Sequence, residues 1–134
     1  MIRPLIAACL IVFSIWMSDA PPATAGPWRW VQEPDQSVAL TRDGETIWQF
    51  HYGSEEPKPH FHPVALAGGP VVTWNRPPDH IWHHGLWFSW KYLNGLNYWE
   101  PAADGIPEGA TEWKDVRVET TELGSAELQM ELTY

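Results

Sequence analysis

The sequence predicts an all-β protein built as an antiparallel β-sandwich. Short runs of alternating apolar and polar residues recur along the chain, with Gly, Pro and Asn between them. After the first 25 residues no stretch carries an apolar stripe with the 3.6-residue period of a helix. The 134 residues also include 13 prolines, which disrupt helix interiors and central strands. Together these observations favour several short strands joined by turns over a helical bundle.

The first predicted strands are β-type runs at residues 28–32, 37–41 and 46–52. Between the second and third runs, Asp43-Gly44 predicts a turn, because Gly adopts positive φ without strain. In the third run Trp48, Phe50 and Tyr52 alternate with three other residues, His51 among them. This two-residue period places the aromatic rings on one face and His51 on the other.

Further strands are predicted at residues 60–66, 71–74, 86–93, 113–121 and 126–134. The run at 86–93 ends at Asn94-Gly95, a strong hairpin signal. The run at 126–134 alternates strictly and reaches the last residue, so its apolar face needs a partner sheet. We therefore expect residues 26–134 to be the N-terminal part of a β-sandwich domain, incomplete at its C-terminal end.

Residues 1–25 have the pattern of a secretory signal peptide. Arg3 precedes an apolar run of 13 residues at 5–17, and Ala23 and Ala25 form a small-residue cleavage site. The apolar run is shorter than the roughly 20 residues needed to span a bilayer, although an uncleaved anchor is the alternative. We expect a bacterial periplasmic or extracellular protein without cysteine, and without membrane contact once the signal is removed.

The net charge of −9 argues against a nucleic-acid partner, since phosphate binding needs a basic surface. Ten tryptophans exceed what one small core needs, so we expect some of them to line a binding surface.

All six histidines lie between residues 51 and 84. In a strand, His60 and His62 share one face, and a proline-restricted loop then carries further titratable groups. The candidate catalytic residues are His60, His62, Asp79, His80, His83 and His84. His80 and His84 are our first choices for proton transfer.

Three interpretations of this histidine cluster remain open. Neutral imidazoles are common metal ligands, so the cluster could hold a divalent metal. Alternatively, a histidine titrating near neutrality could exchange protons with a sugar, in which case no cofactor is expected. The third interpretation is structural, with imidazoles that donate to backbone carbonyls.

Carbohydrate is the expected ligand, because indole rings stack on the apolar faces of sugars. Polar side chains near the histidines could bind hydroxyl groups, and the planar fork of Arg76 would also suit a carboxylate. The candidate substrate-binding residues are Arg76, Trp82, Trp87, Asn94 and Glu100.

The central segment resembles an exported bacterial family that is catalogued as methane oxygenase PmoA. The similarity lies in Pro59-His60-Phe61-His62-Pro63, in the segment 77–88 (PPDHIWHHGLWF), and in Asn94-Gly95 followed by Trp99. It covers roughly residues 57 to 100. A true methane monooxygenase subunit crosses the membrane several times, and no apolar run after the signal is long enough for that. We therefore do not expect methane oxidation.

The resemblance implies a β-supersandwich of the galactose-mutarotase type, a superfamily that binds carbohydrates and includes epimerases and lyases. It also implies that the histidines with Asp79 line one pocket, with Trp87 available for stacking. Whether such a protein is an enzyme or a sugar-binding module is left open by the sequence.

Overall fold

The computed structural model describes residues 27–121 and 125–134, and within these ranges every regular element is a β-strand. The strands are β1 (Trp28–Glu33), β2 (Ser37–Arg42), β3 (Glu45–His51), β4 (His60–Val64), β5 (Tyr92–Leu93), β6 (Leu96–Asn97), β7 (Glu112–Thr120) and β8 (Ala126–Thr133). All strand pairs are antiparallel. The predicted antiparallel all-β fold is therefore confirmed. The predicted signal peptide lies outside the described residues.

Strands β1 to β4 form one sheet in chain order, while β5–β6 and β7–β8 are separate hairpins. Both turns predicted from sequence are present. Asp43 and Gly44 have φ values of 53° and 83°, and Asn94 and Gly95 have values of 53° and 84°. Two successive residues with positive φ match the right-handed twist of paired strands, which explains the tight connections.

The four-stranded sheet has an aromatic face. The ring of Phe61 lies 4.6 Å from that of Phe50 and 5.7 Å from that of Trp48, which in turn contacts Trp30 at 5.4 Å. The opposite face carries His51 and His60, whose rings stack at 5.0 Å. The alternation predicted for β3 is thus confirmed, and it separates an apolar side from an imidazole side.

The β7–β8 hairpin faces the aromatic side of this sheet. Leu128, Met130 and Leu132 share an apolar groove of about 440 Å³ with Phe50 and Phe61. Two indole N–H groups tie the layers together: Trp113 donates to the Tyr52 carbonyl at 2.7 Å, and Trp30 donates to the Thr121 carbonyl at 3.0 Å. The two layers thus resemble a sandwich.

The predicted strand at 71–74 is wrong. Its backbone joins β4 only through a bridge from Val71 to Ala65 and a hydrogen bond from the Val72 N–H to the Val64 carbonyl. The N–H of Val64 then donates to the hydroxyl of Thr73, at 3.0 Å. A side chain thus replaces the next backbone partner, and the ladder stops.

The predicted strand at 86–93 is mostly wrong as well. Leu86 forms an isolated bridge with Phe61, and regular pairing resumes only at Tyr92. Between them Trp87 turns to contact His84 and Trp99, while Phe88 packs edge-on against Trp90. Packing of these rings, rather than a hydrogen-bond ladder, determines the path of this aromatic segment.

No helix in the described ranges has the length and apolar character that crossing a membrane requires.

Candidate functional site

The loop of residues 75–85 brings the densest set of predicted site residues against β4. Its ends are joined by a bridge between Asn75 and His84 and by the Arg76 N–H, which donates to the His83 carbonyl at 2.7 Å. Gly85 closes the loop with φ of +44°, and a Cβ atom there would overlap the Phe61 carbonyl oxygen. Glycine is therefore required for the loop to approach the sheet this closely.

A cleft of about 350 Å³ lies between this loop and the segment 97–109. Aromatic, cationic and acidic side chains line it together. The lining includes Lys58, Arg76, Ile81, Trp82, His84, Tyr98, Trp99 and Glu100. Four of the residues predicted from sequence, namely Arg76, Trp82, His84 and Glu100, therefore meet in one place.

His84 is the buried histidine of this cleft, only 5% exposed. Its ring contacts those of Trp87 at 5.1 Å and His60 at 5.3 Å, while its Nδ1 has no hydrogen-bond partner within the described ranges. Burial, together with the nearby positive groups Lys58 and Arg76, lowers the pKa of His84 from 6.5 to about 4. The imidazole is consequently neutral at neutral pH, and its buried Nδ1 is bonded to no described group.

His60 supports the cleft from beneath and is closed to ligands. It is 2% exposed, and its Nδ1 donates to the carbonyl of Lys58 at 2.9 Å. Burial is the main cause that lowers its pKa. This contact fixes the backbone of Lys58, whose Nζ lies 4.6 Å from the centre of the Trp87 ring and donates to the Tyr98 carbonyl. Burial lowers the pKa of Lys58 too.

His51 and His62 lie beside His60 and are engaged in structural contacts. His51 Nε2 donates to the His62 carbonyl at 2.8 Å, and His62 Nδ1 lies 3.0 Å from the Thr73 hydroxyl. The pKa of His62 is lowered, chiefly by burial and then by His60 and His51. Neither ring lines the cleft.

The remaining loop histidines lie at its rim. His80 Nδ1 lies 3.0 Å from a carboxylate oxygen of Asp79, and both side chains are more than half exposed. The His80 ring lies 5.4 Å from that of Trp82. His83 lies between Trp87 and Trp99, with ring centres at 5.4 and 6.0 Å. These residues flank the cleft without lining it.

Glu100 is held in place by two neighbours. Lys91 Nζ lies 3.0 Å from its Oε1, and the amide of Asn97 donates to the same oxygen at 3.4 Å. The hydrogen bond from Lys91 is the first cause that lowers the pKa of Glu100. Glu100 is therefore an ionised hydrogen-bond acceptor with a fixed orientation.

Two predicted binding residues do not line the cleft. Trp87 lies behind it, enclosed by His84, Lys58 and Trp99, the last at 5.1 Å in an edge-on contact. Asn94 sits at the tip of the β5–β6 hairpin with positive φ and does not line this cleft. Its residue type is explained by the turn, because Asn tolerates the left-handed region.

The sequence interpretation overlooked Lys58 as a site residue. One signal was available: Lys58 stands two residues before His60 and between two prolines, so a fixed backbone could place it near the cluster. Tyr98, which is 7% exposed, and its neighbour Trp99 are likewise absent from the predicted binding residues. Their position beneath the loop depends on long-range packing that no local pattern reveals.

A larger cleft of about 710 Å³ lies elsewhere and is lined by acidic residues, among them Asp35, Glu56, Glu112 and Asp115. None of the predicted site residues lines it. In residues 27–121 and 125–134 there is no group of three His, Cys, Asp or Glu side chains placed to hold a metal ion. The cleft at His84 is therefore the candidate functional site.

Comparison with known proteins gives a family without a known activity. No curated protein matches the chain, and no solved structure does. Residues 37–134 match the model of a family of unknown function, DUF6807. Because this match covers well over half of the sequence, the chain belongs to the DUF6807 family.

Proposed function

We propose that the cleft at His84 binds carbohydrate. The observation that carries the proposal is the combination, in one cleft, of aromatic rings with buried nitrogen atoms that have no partner. His84 Nδ1 and Trp82 Nε1 are both buried, and neither has a hydrogen-bond partner in the described ranges. Buried polar atoms of this kind are uncommon and are satisfied by a ligand or by ordered water. Sugar hydroxyl groups would bond to both.

The aromatic lining supports a ring-shaped ligand with an apolar face. Trp82, Tyr98 and Trp99 line the cleft, and Trp99 is braced edge-on against Trp87 with an interplanar angle of 90°. Indole rings offer large flat surfaces at a low entropic cost of ordering. A pyranose stacked on Trp99 would direct its equatorial hydroxyls to the edges of the ring.

The polar lining supports hydroxyl recognition at those edges. The carboxylate of Glu100 accepts hydrogen bonds, whereas Lys58 and Arg76 donate them. His84, neutral at physiological pH, can accept a hydrogen bond from a hydroxyl. Trp82 and Arg76 would orient the sugar.

Carbohydrate binding is also consistent with the resemblance to the exported PmoA-like family, and with the predicted signal segment at residues 1–25. We propose that the protein acts outside the bacterial cytoplasm, in the periplasm or at the cell exterior.

Intrinsic fluorescence tests the proposal, because several tryptophans lie at the cleft. Purified protein is titrated with a panel of neutral and acidic monosaccharides and short oligosaccharides, and hits are confirmed by calorimetry. Trp99→Ala is expected to weaken binding about tenfold, from loss of the stacking surface. Trp90→Ala is the matched control, since Trp90 is 49% exposed and packs on Phe88 away from the cleft. Binding that is equally strong in the wild type and Trp99→Ala, or no binding of any sugar, contradicts the proposal.

A further inference from the structure

We propose that the cleft selects an acidic sugar, whose carboxylate is held by Lys58 and Arg76. The inference rests on the proposed carbohydrate binding and names the class of sugar. It starts from two cationic side chains that line the same cleft as the indole rings of Trp82 and Trp99.

These two cations lack an acidic partner of the kind that Lys91 and Lys114 have. Lys91 lies 3.0 Å from Glu100, and Lys114 lies 3.3 Å from Glu131. For Lys58 and Arg76, by contrast, no carboxylate lies within ion-pair distance in the ranges 27–121 and 125–134. Arg29 and Arg117 also have no ion-pair partner in these ranges, but neither lines the cleft, whereas Lys58 and Arg76 line it together. A bound anion would neutralise this pair.

Lys58 is positioned to receive an anion. Its backbone is fixed by His60, and its ammonium lies over the Trp87 ring and donates to the Tyr98 carbonyl. An ammonium has three donors, so further donors remain available. The pKa of Lys58 is lowered by burial, which shows that its charge is poorly solvated in the cleft. A carboxylate would offset this cost.

Arg76 supplies the second contact. Its backbone is fixed by φ of +52° and by the N–H donated to His83, whereas its guanidinium makes no hydrogen bond to any described residue. A planar guanidinium binds a carboxylate through two parallel hydrogen bonds. The two cations both act on His84, since each contributes to lowering its pKa. The positive charge is thus concentrated where the unpartnered His84 nitrogen lies.

The neighbouring surface favours a sugar acid over a bare inorganic anion. Ile81, Trp82 and Trp99 form an apolar wall beside the cations, and a small ion would leave this wall uncovered. A pyranose ring with a carboxylate substituent covers both: the ring contacts the indoles, and the carboxylate reaches Lys58 and Arg76.

The test compares matched sugars at constant ionic strength. Glucuronate is titrated against glucose, and galacturonate against galactose, by fluorescence and calorimetry. We expect the acid of at least one pair to bind about tenfold more tightly than its neutral counterpart, which corresponds to about 1.4 kcal/mol. Arg76→Gln should reduce this preference to about threefold or less, because the glutamine amide can still donate to hydroxyl groups but carries no charge. Arg117→Gln, an exposed arginine on β7, is the matched control and should keep the full preference.

A measurement on the unmodified protein avoids dependence on the folding of a variant. Raising the salt concentration should weaken the binding of the acidic sugars more than that of the neutral sugars, because mobile ions screen the charges. Equal affinity for acid and neutral sugars overturns this inference and leaves carbohydrate binding in place. If no sugar binds, both the preference for acidic sugars and the proposed carbohydrate binding are refuted. Inorganic phosphate that binds as tightly as the sugar acid overturns the assignment, since the cleft would then be a general anion site.

Discussion

Acidification is expected to destabilise the folded chain through His84. The residue is buried, and burial, followed by the nearby His60, Lys58, Arg76 and His83, lowers its pKa to about 4. In the unfolded chain the imidazole regains its ordinary pKa of 6.5. Between these two values the unfolded state binds more protons than the folded state, so the free energy of unfolding falls as the pH falls.

The magnitude follows from the two pKa values. Their difference, 6.5 − 4 = 2.5, corresponds to about 3.4 kcal/mol once the pH lies below both. Over the experimentally convenient interval from about pH 7.5 to about pH 4.5, the same linkage gives a loss of about 2.5 kcal/mol. That is a large share of the 5–15 kcal/mol by which domains are typically stable.

Denaturant unfolding followed by tryptophan fluorescence measures this loss at the two pH values. Carboxylates also titrate over this interval, so the informative quantity is the difference between the wild type and His84→Gln. The glutamine cannot be protonated, and the variant should lose about 2.5 kcal/mol less than the wild type on acidification. His80→Gln is the matched control, because the His80 side chain is 57% exposed and should contribute little to the difference.

Equal losses for the wild type and His84→Gln would refute this explanation. The result would mean that His84 is protonated as readily in the folded chain as in the unfolded one. In that case the cleft would accommodate an imidazolium under acidic conditions, and burial would not be what keeps His84 neutral.

Two further predictions concern the framework that holds the cleft. Gly85→Ala should destabilise the fold by about 3 kcal/mol or more in denaturant titrations, because the new methyl group would overlap the Phe61 carbonyl. The control is Gly105→Ala, which has φ of +82° and open space around it and should cost only about 1 kcal/mol. Equal costs for the two variants would contradict the steric argument. Trp113→Phe should lower the free energy of unfolding by about 1 to 2 kcal/mol, because it leaves the Tyr52 carbonyl without its indole donor. An unchanged denaturant midpoint would show that this hydrogen bond does not attach the β7–β8 hairpin to the four-stranded sheet.

The strands and turns that could be predicted are those determined by local chemistry. Asp43-Gly44 and Asn94-Gly95 each adopt the positive φ values that their residue types favour. The alternation along β3 likewise sorts its side chains into two faces. These features depend on neighbours in sequence, so a single sequence is enough to predict them.

The failed predictions lie where distant contacts override local preference. Residues 71–74 are rich in β-branched side chains, yet the Thr73 hydroxyl takes the N–H of Val64 and ends the ladder. The segment after Leu86 follows the packing of Trp87 against His84 and Trp99. Neither event leaves a signal in composition or periodicity.

The same limit applies to the histidines, which look equivalent in sequence but differ in burial and contacts. Periodicity places His60 on a face without saying how deeply it lies, and only the structure shows its Nδ1 bonded to the Lys58 carbonyl. His84 reaches the cleft because Gly85 lets its loop approach β4. The metal and acid–base interpretations both treated the cluster as a set of ligand-facing groups. The contacts instead assign His60 to positioning Lys58, and leave His84 as the buried imidazole that lines the cleft, with an Nδ1 that has no partner in the described ranges.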